Sequence, residues 1–280
     1  MTDIHCQTVR SSDGTTIVYR SVGVGEPAIV VGGVLRSADD YMPFASELAR
    51  RFEVHVLDRR GRGGSGPQGA AYSIVKECDD LEAVMAQTRA TRAFGHSFGG
   101  LVALETAKRN SALRQVAVYE PGVSVDGSVA LDWLPAYARR LDRGDTRGAF
   151  AELVRGSGHA PAIVSKLPLP YLKLVLRVAI KRERWQRMEP LLVTNLVEHQ
   201  ELARLDGTAA SYGQIAAEVL LLGGTKSPSS VRLSLDALSA AIPRARQQLI
   251  EGLAHNAPDE TSPAAVAEVV ARFLASEPER

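Results

Sequence analysis

The segment Gly95–Gly100 places a serine, Ser97, at the centre of the pattern G-x-S-x-G. A short segment ending in apolar residues, Arg92–Phe94, precedes the pattern, and Leu101–Lys108 after it has the composition of a helix. A serine on a sharp strand-to-helix turn is held in a strained backbone conformation, which only small flanking residues allow. Its hydroxyl then lies above the edge of the sheet, beside the backbone N–H of Phe98 and the positive end of the helix dipole. The pattern and its context therefore predict a nucleophilic serine.

A serine hydroxyl barely ionises at neutral pH, so Ser97 needs a general base within hydrogen-bonding reach, and that base needs an orienting carboxylate. The sequence contains six histidines: His5, His55, His96, His159, His199 and His255. His96 lies in the turn itself, His5 lies near the terminus and His55 lies inside a predicted strand. The helical region contains His159 and His199. His255 lies on a loop after the last predicted strand, and we therefore predict that it is the general base.

Short β-branched segments alternate with longer amphipathic segments in the first half of the chain, a rhythm typical of a mostly parallel, doubly wound sheet. The predicted strands are Thr16–Tyr19, Ala28–Val31, Phe52–Leu57, Arg92–Gly95, Gln115–Tyr119, Glu218–Leu222 and Gln247–Ile250. The predicted helices of this core are Ser73–Arg89, the segment after Ser97, and roughly Pro263–Ala275. Between the fifth and sixth strands we predict four helices: Trp133–Leu141, Ala149–Val154, Tyr171–Ile180 and Glu189–Leu205.

Composition and charge exclude several classes of function. Lys and Arg total 33 against 32 Asp and Glu, so the overall charge favours neither a nucleic acid nor a membrane as partner. The two cysteines, Cys6 and Cys78, form neither a metal-binding spacing nor a disulfide framework. No signal peptide or transmembrane-length apolar segment is visible, and we expect a cytoplasmic protein. The sequence does not predict an oligomeric state.

Four landmarks, in this order along the chain, resemble the α/β-hydrolase superfamily over nearly the whole length. They are Gly32-Gly33-Val34 after an apolar strand, the loop Asp58–Ser65 of type D-x-R-G-x-G-x-S, the serine turn, and the late His255. The resemblance implies an α/β fold with a doubly wound, mostly parallel sheet and an inserted helical lid. It places the core in residues 1–122 and 214–280 and the lid in residues 123–213. It is nearest to small bacterial members with a serine nucleophile.

The chain departs from the family pattern at two positions. Members usually carry histidine where this chain has Gly32, and an aspartate in the turn where it has Ser227. Some similar α/β-hydrolases carry their acid after the strand that precedes the lid, and the resemblance therefore assigns Glu120 as the acid. The alternative is a strand-end glutamate without a catalytic role, which would leave a Ser–His dyad. By position, the resemblance also implies that the N–H groups of Val34 and Phe98 form the oxyanion hole.

The loop Gly61–Gly66 matches G-x-G-x-x-G, the pattern of dinucleotide-binding loops. A dinucleotide site requires a helix that opens at this loop, and here Pro67–Ala71 continues as loop. We therefore predict that its arginines tie neighbouring loops together. The alternative is that Arg60 or Arg62 meets an acidic substrate.

These observations predict a serine hydrolase that cleaves a small to medium, largely apolar ester, lactone, thioester or amide through an acyl-enzyme. No metal or organic cofactor is expected, and the partner is a small-molecule acyl substrate. Apolar residues of the lid are expected to pack it onto the core and to line the pocket: Trp133, Leu167, Leu169, Tyr171, Leu172, Leu174, Val175, Leu176, Trp185 and Met188. The alternatives are a lyase, cyclase or acyltransferase of the same fold, and a ligand-binding receptor that retains it.

Overall fold

The computed structural model describes residues 3–158, 160 and 162–276, and these form one eight-stranded sheet. The spatial order of the strands is β1-β2-β4-β3-β5-β6-β7-β8. The pairs β1–β2 and β2–β4 are antiparallel and the remaining pairs are parallel, which confirms the predicted fold class. The strands are β1 His5–Arg10, β2 Thr16–Val22, β3 Glu26–Val31, β4 Phe52–Asp58, β5 Arg92–His96, β6 Gln115–Tyr119, β7 Glu218–Gly224 and β8 Ala245–Ile250.

Helices cover both faces of this sheet, as a parallel sheet requires. The core helices are α1 Met42–Leu48, α2 Ile74–Thr88, α3 Phe98–Arg109, α10 Ser229–Ala241 and α11 Pro263–Leu274. Alternation along β6 shows the two layers: Val116 and Val118 pack with α2, α3 and α10, whereas Ala117 and Tyr119 pack with α1 and α11. Because β6 is buried on both faces, its sequence is apolar throughout rather than alternating.

Between β6 and β7 the described residues form helices and no strand. These helices are α4 Leu134–Asp142, α5 Thr146–Gly156, α6 Ala162–Ser165, α7 Leu169–Ala179, α8 Arg182–Met188 and α9 Leu191–Arg204. Of these, α4, α5, α8 and α9 share a small apolar core that includes Trp133, Tyr137, Trp185 and Leu192, and Leu35 of the loop after β3 packs into it. We call residues 123–213 the helical segment. Within the part of the chain that is described, no helix is long and apolar enough to cross a membrane.

Candidate active site

Ser97 lies between β5 and α3 with φ 54° and ψ −123°, a conformation that a residue with a side chain rarely adopts. The backbone N–H of Ser97 donates to the carbonyl of Tyr119 at 3.0 Å, which ties the turn to β6. The neighbouring glycines are required by close approaches. A Cβ on Gly95 would lie 2.5 Å from the carbonyl oxygen of Gly99, and one on Gly99 would lie 2.2 Å from that of Val31. The strain at Ser97 therefore depends on glycines on both sides.

Two further side chains predicted for the site reach Ser97 from different loops. His255, after β8, has its Nε2 3.2 Å from Ser97 Oγ. Its Nδ1 lies 2.9 Å from Oε2 of Glu120, which follows directly after β6. An ionised carboxylate only accepts hydrogen bonds, so Nδ1 carries the proton and Nε2 presents its lone pair to the serine hydroxyl. This is the arrangement that a Ser–His–acid triad requires.

Glu120 is held by two further donors besides His255. Its Oε1 accepts the Gly224 N–H at 2.9 Å and the hydroxyl of Ser227. Burial raises the pKa of this carboxyl, but the hydrogen bond and charge of His255, together with Ser227 and Gly224, outweigh it, so that the pKa lies below its ordinary value. Ser227, at the position where the family usually has an aspartate, thus donates to the carboxylate on the neighbouring strand.

The two N–H groups predicted for an oxyanion hole belong to Val34, on the loop after β3, and to Phe98, next to Ser97 in the chain. Phe98 is the first residue of α3, where a backbone N–H has no intrahelical acceptor. The loop that carries Val34 passes close to the serine, since a Cβ on Gly33 would lie 3.1 Å from Ser97 Cβ. Val34 and Ser97 line the same cavity. Their roles as oxyanion donors stay a prediction.

The aromatic ring of Tyr41 explains the glycine at position 32. A Cβ on Gly32 would lie 2.4 Å from Tyr41 Cε2, so the ring occupies the space that a side chain would need. The Tyr41 hydroxyl accepts the N–H of Gly33 at 2.8 Å and lies 2.7 Å from His96 Nδ1. The tyrosine therefore anchors the loop that the usual histidine would otherwise shape.

His96 links the serine turn to the loop of the predicted base. Its Nε2 lies 2.9 Å from the backbone carbonyl of His255, which only accepts, so Nε2 carries the proton and Nδ1 accepts from Tyr41. Burial lowers the pKa of His96 well below its usual value, and the nearby His255 lowers it further. A neutral His96 thus connects Gly33, Tyr41 and His255 in one chain of hydrogen bonds. The pattern G-x-S-x-G located His96 in the turn but did not indicate this role, and nothing in it indicated Tyr41.

The arginines of the loop Gly61–Gly66 and of the strand end before it are buried and paired. Arg59 contacts Glu77 of α2 at 2.8 Å and Glu198 of α9 at 2.7 Å, and Arg62 also contacts Glu198. Arg62 donates to the Gly33 carbonyl at 3.1 Å. These groups therefore tie α2, α9 and the Gly33 loop together, as predicted, and they do not line the cavity above Ser97.

Arg60 is likewise buried, and it pairs with Asp80 of α2 at 2.7 Å and with Asp13 at 3.0 Å. It does not line the cavity above Ser97 either, so the alternative in which Arg60 or Arg62 meets an acidic substrate is not supported. The first helix after the glycine-rich loop begins at Ile74, well beyond Gly66, so the loop lacks the helix N-terminus of a dinucleotide site.

A cavity of about 400 Å³ lies above Ser97, between the ends of the strands and the helical segment. Its apolar lining comes largely from the helical segment and the Val34 loop: Val34, Leu35, Trp133, Phe150, Leu153, Ile180, Met188 and Leu202. Trp133 and Met188 were predicted to contribute. The residues from Leu167 to Leu176 were expected in part to pack the lid and in part to line the pocket, but none of them lines this cavity: α7 turns Leu172 into the protein and Tyr171, Leu174 and Val175 towards solvent.

His199 is among the polar residues of this cavity that sequence reasoning missed. His199, on α9, lines the cavity and packs against Trp133 with the two ring centres 4.9 Å apart. Its Nδ1 lies 2.9 Å from the Asn195 carbonyl, and burial lowers its pKa. Of the other histidines, His55 is buried in β4 beside Ser21, and His159 lies outside the described residues. Among the described residues no cluster of His, Cys, Asp or Glu could hold a metal ion.

Comparisons with known proteins agree with this architecture. Residues 29–269 match the model of the alpha/beta hydrolase family. A hydrolase of this type from Sphaerobacter thermophilus is 29% identical, with a TM-score of 0.80 over 96% of this chain and 100% of that one. The enol-lactonase of Burkholderia xenovorans has a TM-score of 0.72 at 20% identity, over 96% of this chain and 100% of that one.

A curated relative, the non-heme haloperoxidase of Rhodococcus erythropolis, is 36% identical over 95 residues. This match covers 33% of this chain and 35% of the relative's own length. The family assignment therefore rests on the match over residues 29–269 and on the fold, and the chain belongs to the alpha/beta hydrolase family.

Proposed function

We propose that this protein is a serine hydrolase that cleaves a small to medium, largely apolar ester, lactone, thioester or amide through an acyl-enzyme. The observation that carries the proposal is the series of contacts from Ser97 through His255 to Glu120 in the lining of a cavity. Ser97 Oγ lies 3.2 Å from His255 Nε2, and His255 Nδ1 lies 2.9 Å from Glu120 Oε2. A family assignment alone would not suffice, because one fold supports many reactions.

In the proposed cycle, His255 Nε2 takes the proton of Ser97 as its Oγ attacks the substrate carbonyl carbon. The negative charge that develops on the carbonyl oxygen is stabilised by the N–H groups of Val34 and Phe98, and donors of this kind are worth about 10²–10³-fold in rate each. Glu120 holds the imidazole in the required tautomer and stabilises its charged form. His255 then gives the proton to the leaving group, and water cleaves the acyl-enzyme by the same steps.

The cavity supports the proposed substrate class. A volume of about 400 Å³ suits a small or medium molecule, and the apolar walls favour a substrate that is largely apolar apart from its reacting group. The helical segment supplies most of these walls, and we propose that it acts as a lid that sets substrate preference. The similar fold of the enol-lactonase is in keeping with a lactone among the candidate substrates.

The proposal is tested with a fluorophosphonate, followed by intact-mass spectrometry of the wild type and of Ser97→Ala, His255→Ala and Glu120→Gln. We expect one adduct on the wild type, none on Ser97→Ala, and strongly slowed labelling of the other two. A panel of chromogenic esters, lactones, thioesters and amides then identifies the bond that is cleaved. An unlabelled wild-type protein would contradict the proposal and favour a lyase or a ligand-binding receptor of this fold.

A further inference from the structure

The outer face of α7 carries an apolar stripe that nothing in the described structure covers. Tyr171, Leu174, Val175 and Val178 are exposed to 64%, 60%, 43% and 80%. Their spacing of i, i+3, i+4 and i+7 places them on one face of the helix. Another face of α7 packs against the rest of the protein, because Leu172 is fully buried. The helix is therefore apolar on two faces, and packing within the chain explains only one of them.

The residues around this stripe are strongly basic. Residues 163–187 contain one acidic residue, Glu183, and seven basic residues, so their net charge is +6, whereas the whole chain has +1. Two of the seven pair with acidic groups elsewhere, Lys173 with Asp145 and Arg184 with Glu260. The other five are exposed: Lys166, Arg177, Lys181, Arg182 and Arg187. We call residues 163–187 the basic–apolar patch.

The patch adjoins the candidate active site. Ile180, directly after α7, and Met188, at the end of α8, both line the cavity above Ser97. Arg184, between them, also lines it. A molecule held against the outer face of the patch is therefore next to the wall of the cavity in which the proposed chemistry takes place.

We propose that the basic–apolar patch docks on the surface of an anionic lipid bilayer. A short helix with an apolar stripe and flanking Lys and Arg residues lies in the interface plane, with the stripe in the acyl boundary and the cations at the anionic headgroups. A second copy of the chain is a poorer occupant, since a symmetric contact would place the five exposed cations of one patch against those of the other. The expectation of no membrane partner was based on the overall charge of the chain. The overall charge does not reveal that basic residues are concentrated in residues 163–187.

If the patch docks on a membrane, the substrate of Ser97 can come from the lipid surface; this inference rests on the proposed function. An amphiphile held at the lipid surface can pass the wall formed by Ile180 and Met188 and reach Ser97. The substrate class is then an amphiphilic acyl compound that partitions into membranes.

The experiment is flotation of the full chain with vesicles of pure phosphatidylcholine and with vesicles containing 30 mol% phosphatidylglycerol. Each cation near an anionic surface contributes about 1 kcal/mol, so Arg177→Gln combined with Arg182→Gln is expected to weaken binding to the anionic vesicles about 30-fold. Leu174→Asp combined with Val178→Asp is expected to abolish it. The matched control replaces two exposed apolar residues outside the patch, Val24→Asp with Leu233→Asp, and is expected to bind like the wild type.

Wild-type binding should prefer the anionic vesicles at least tenfold and should weaken in high salt, because salt screens exposed charges. Equal binding to both vesicles, no binding, or equal weakening by the control pair would overturn the proposal. Light scattering of the same variants tests whether a second copy of the chain covers the stripe instead. A wild-type dimer that the Leu174 and Val178 substitutions dissociate would assign the stripe to a second copy and overturn the proposal. The substituted residues Leu174, Arg177, Val178 and Arg182 do not line the cavity above Ser97, so fluorophosphonate labelling of the same variants in solution tests the proposed chemistry separately from vesicle binding.

Discussion

Replacing Glu120 by glutamine tests the proposed acid with almost no change of shape. Oε1 of Glu120 accepts from the Gly224 N–H at 2.9 Å and from Ser227, while Oε2 faces His255 Nδ1 at 2.9 Å. The amide oxygen of a glutamine must stay with the Gly224 N–H, since the opposite orientation would set two donors against each other. Its NH₂ group then faces His255 Nδ1.

The consequence follows from the tautomer of His255. With an amide donor opposite Nδ1, that nitrogen must accept, so the ring proton moves to Nε2 and the lone pair that should take the proton of Ser97 is lost. The charge that stabilises the imidazolium is lost as well. For a triad whose acid is replaced by its amide, we expect kcat to fall roughly 10³–10⁴-fold, or about 4–5.5 kcal/mol in activation free energy.

The assay is steady-state hydrolysis of the chromogenic acyl substrate that the wild type cleaves fastest, with thermal unfolding measured on the same samples. Ser227→Ala is the matched control, because it removes one donor to Glu120 but keeps the carboxylate and the Gly224 contact. We expect this control to lose less than about tenfold in kcat. If Glu120→Gln stays folded and also loses less than tenfold, Glu120 is not the acid and the reasoning fails.

Two further predictions concern the buried histidines and Tyr41. Tyr41→Phe leaves the Gly33 N–H and His96 Nδ1 without their partner, so we expect the free energy of unfolding to fall by about 2–5 kcal/mol in urea titrations; an unchanged unfolding midpoint would show that this bridge does not hold the loop. Burial lowers the pKa of His55, His96 and His199. The unfolded chain therefore binds more protons below about pH 6.5, and stability should fall with acidification by up to about 1.4 kcal/mol per histidine at one pH unit lower. Urea titrations at pH 7.5, 6.5 and 5.5 check this, and a flat dependence in the wild type would contradict it.

Much of the fold was predictable because the composition of short segments indicates which of them form strands and helices. The β-branched, apolar segments of β3 and β6 have the composition of strands buried on both faces, and the structure confirms the parallel arrangement. The turn at Ser97 was predictable because the pattern G-x-S-x-G between a strand and a helix is typical of it, and its glycines allow the close approaches of the backbone that the turn needs. By contrast β1 and α1 were missed, since β1 is an exposed edge strand without strict alternation and α1 is short and begins with Met42-Pro43.

Contacts between distant segments could not be predicted from one sequence. Nothing local indicates that Tyr41 reaches His96, because their side chains meet only after β3 and β5 have paired. The lining of the cavity was predicted wrongly around α7 for a similar reason. Helical periodicity identifies an apolar face but does not tell whether the protein covers it, and α7 has a covered face at Leu172 and an exposed one at Tyr171 and Leu174.

The adjacent helices α8 and α9 of the helical segment are attached to the core in different ways, and we propose that this determines which of them is able to move. In α9, Glu198 is fully buried and pairs with Arg59 and Arg62, and Arg62 in turn holds the Gly33 carbonyl beside Ser97. Removing α9 from this position would leave buried charges without partners, which costs about 3–5 kcal/mol for a single pair. By contrast, the ion pair that joins α8 to the core, Arg184 with Glu260, is partly exposed, and such pairs contribute little. The buried side chains of α8, Trp185 and Met188, pack mainly into the apolar core of the helical segment itself.

We therefore propose that the cavity opens by movement of α7 and α8 while α9 stays with the core. The outward face of α7 and α8 is also the basic–apolar patch, so a surface that binds the patch acts on the part of the segment that is least firmly held. The loop that carries Val34 does not have to move, because its anchors are Tyr41 and Arg62. The proposed oxyanion hole can thus stay assembled while the wall formed by Ile180 and Met188 opens to admit a substrate.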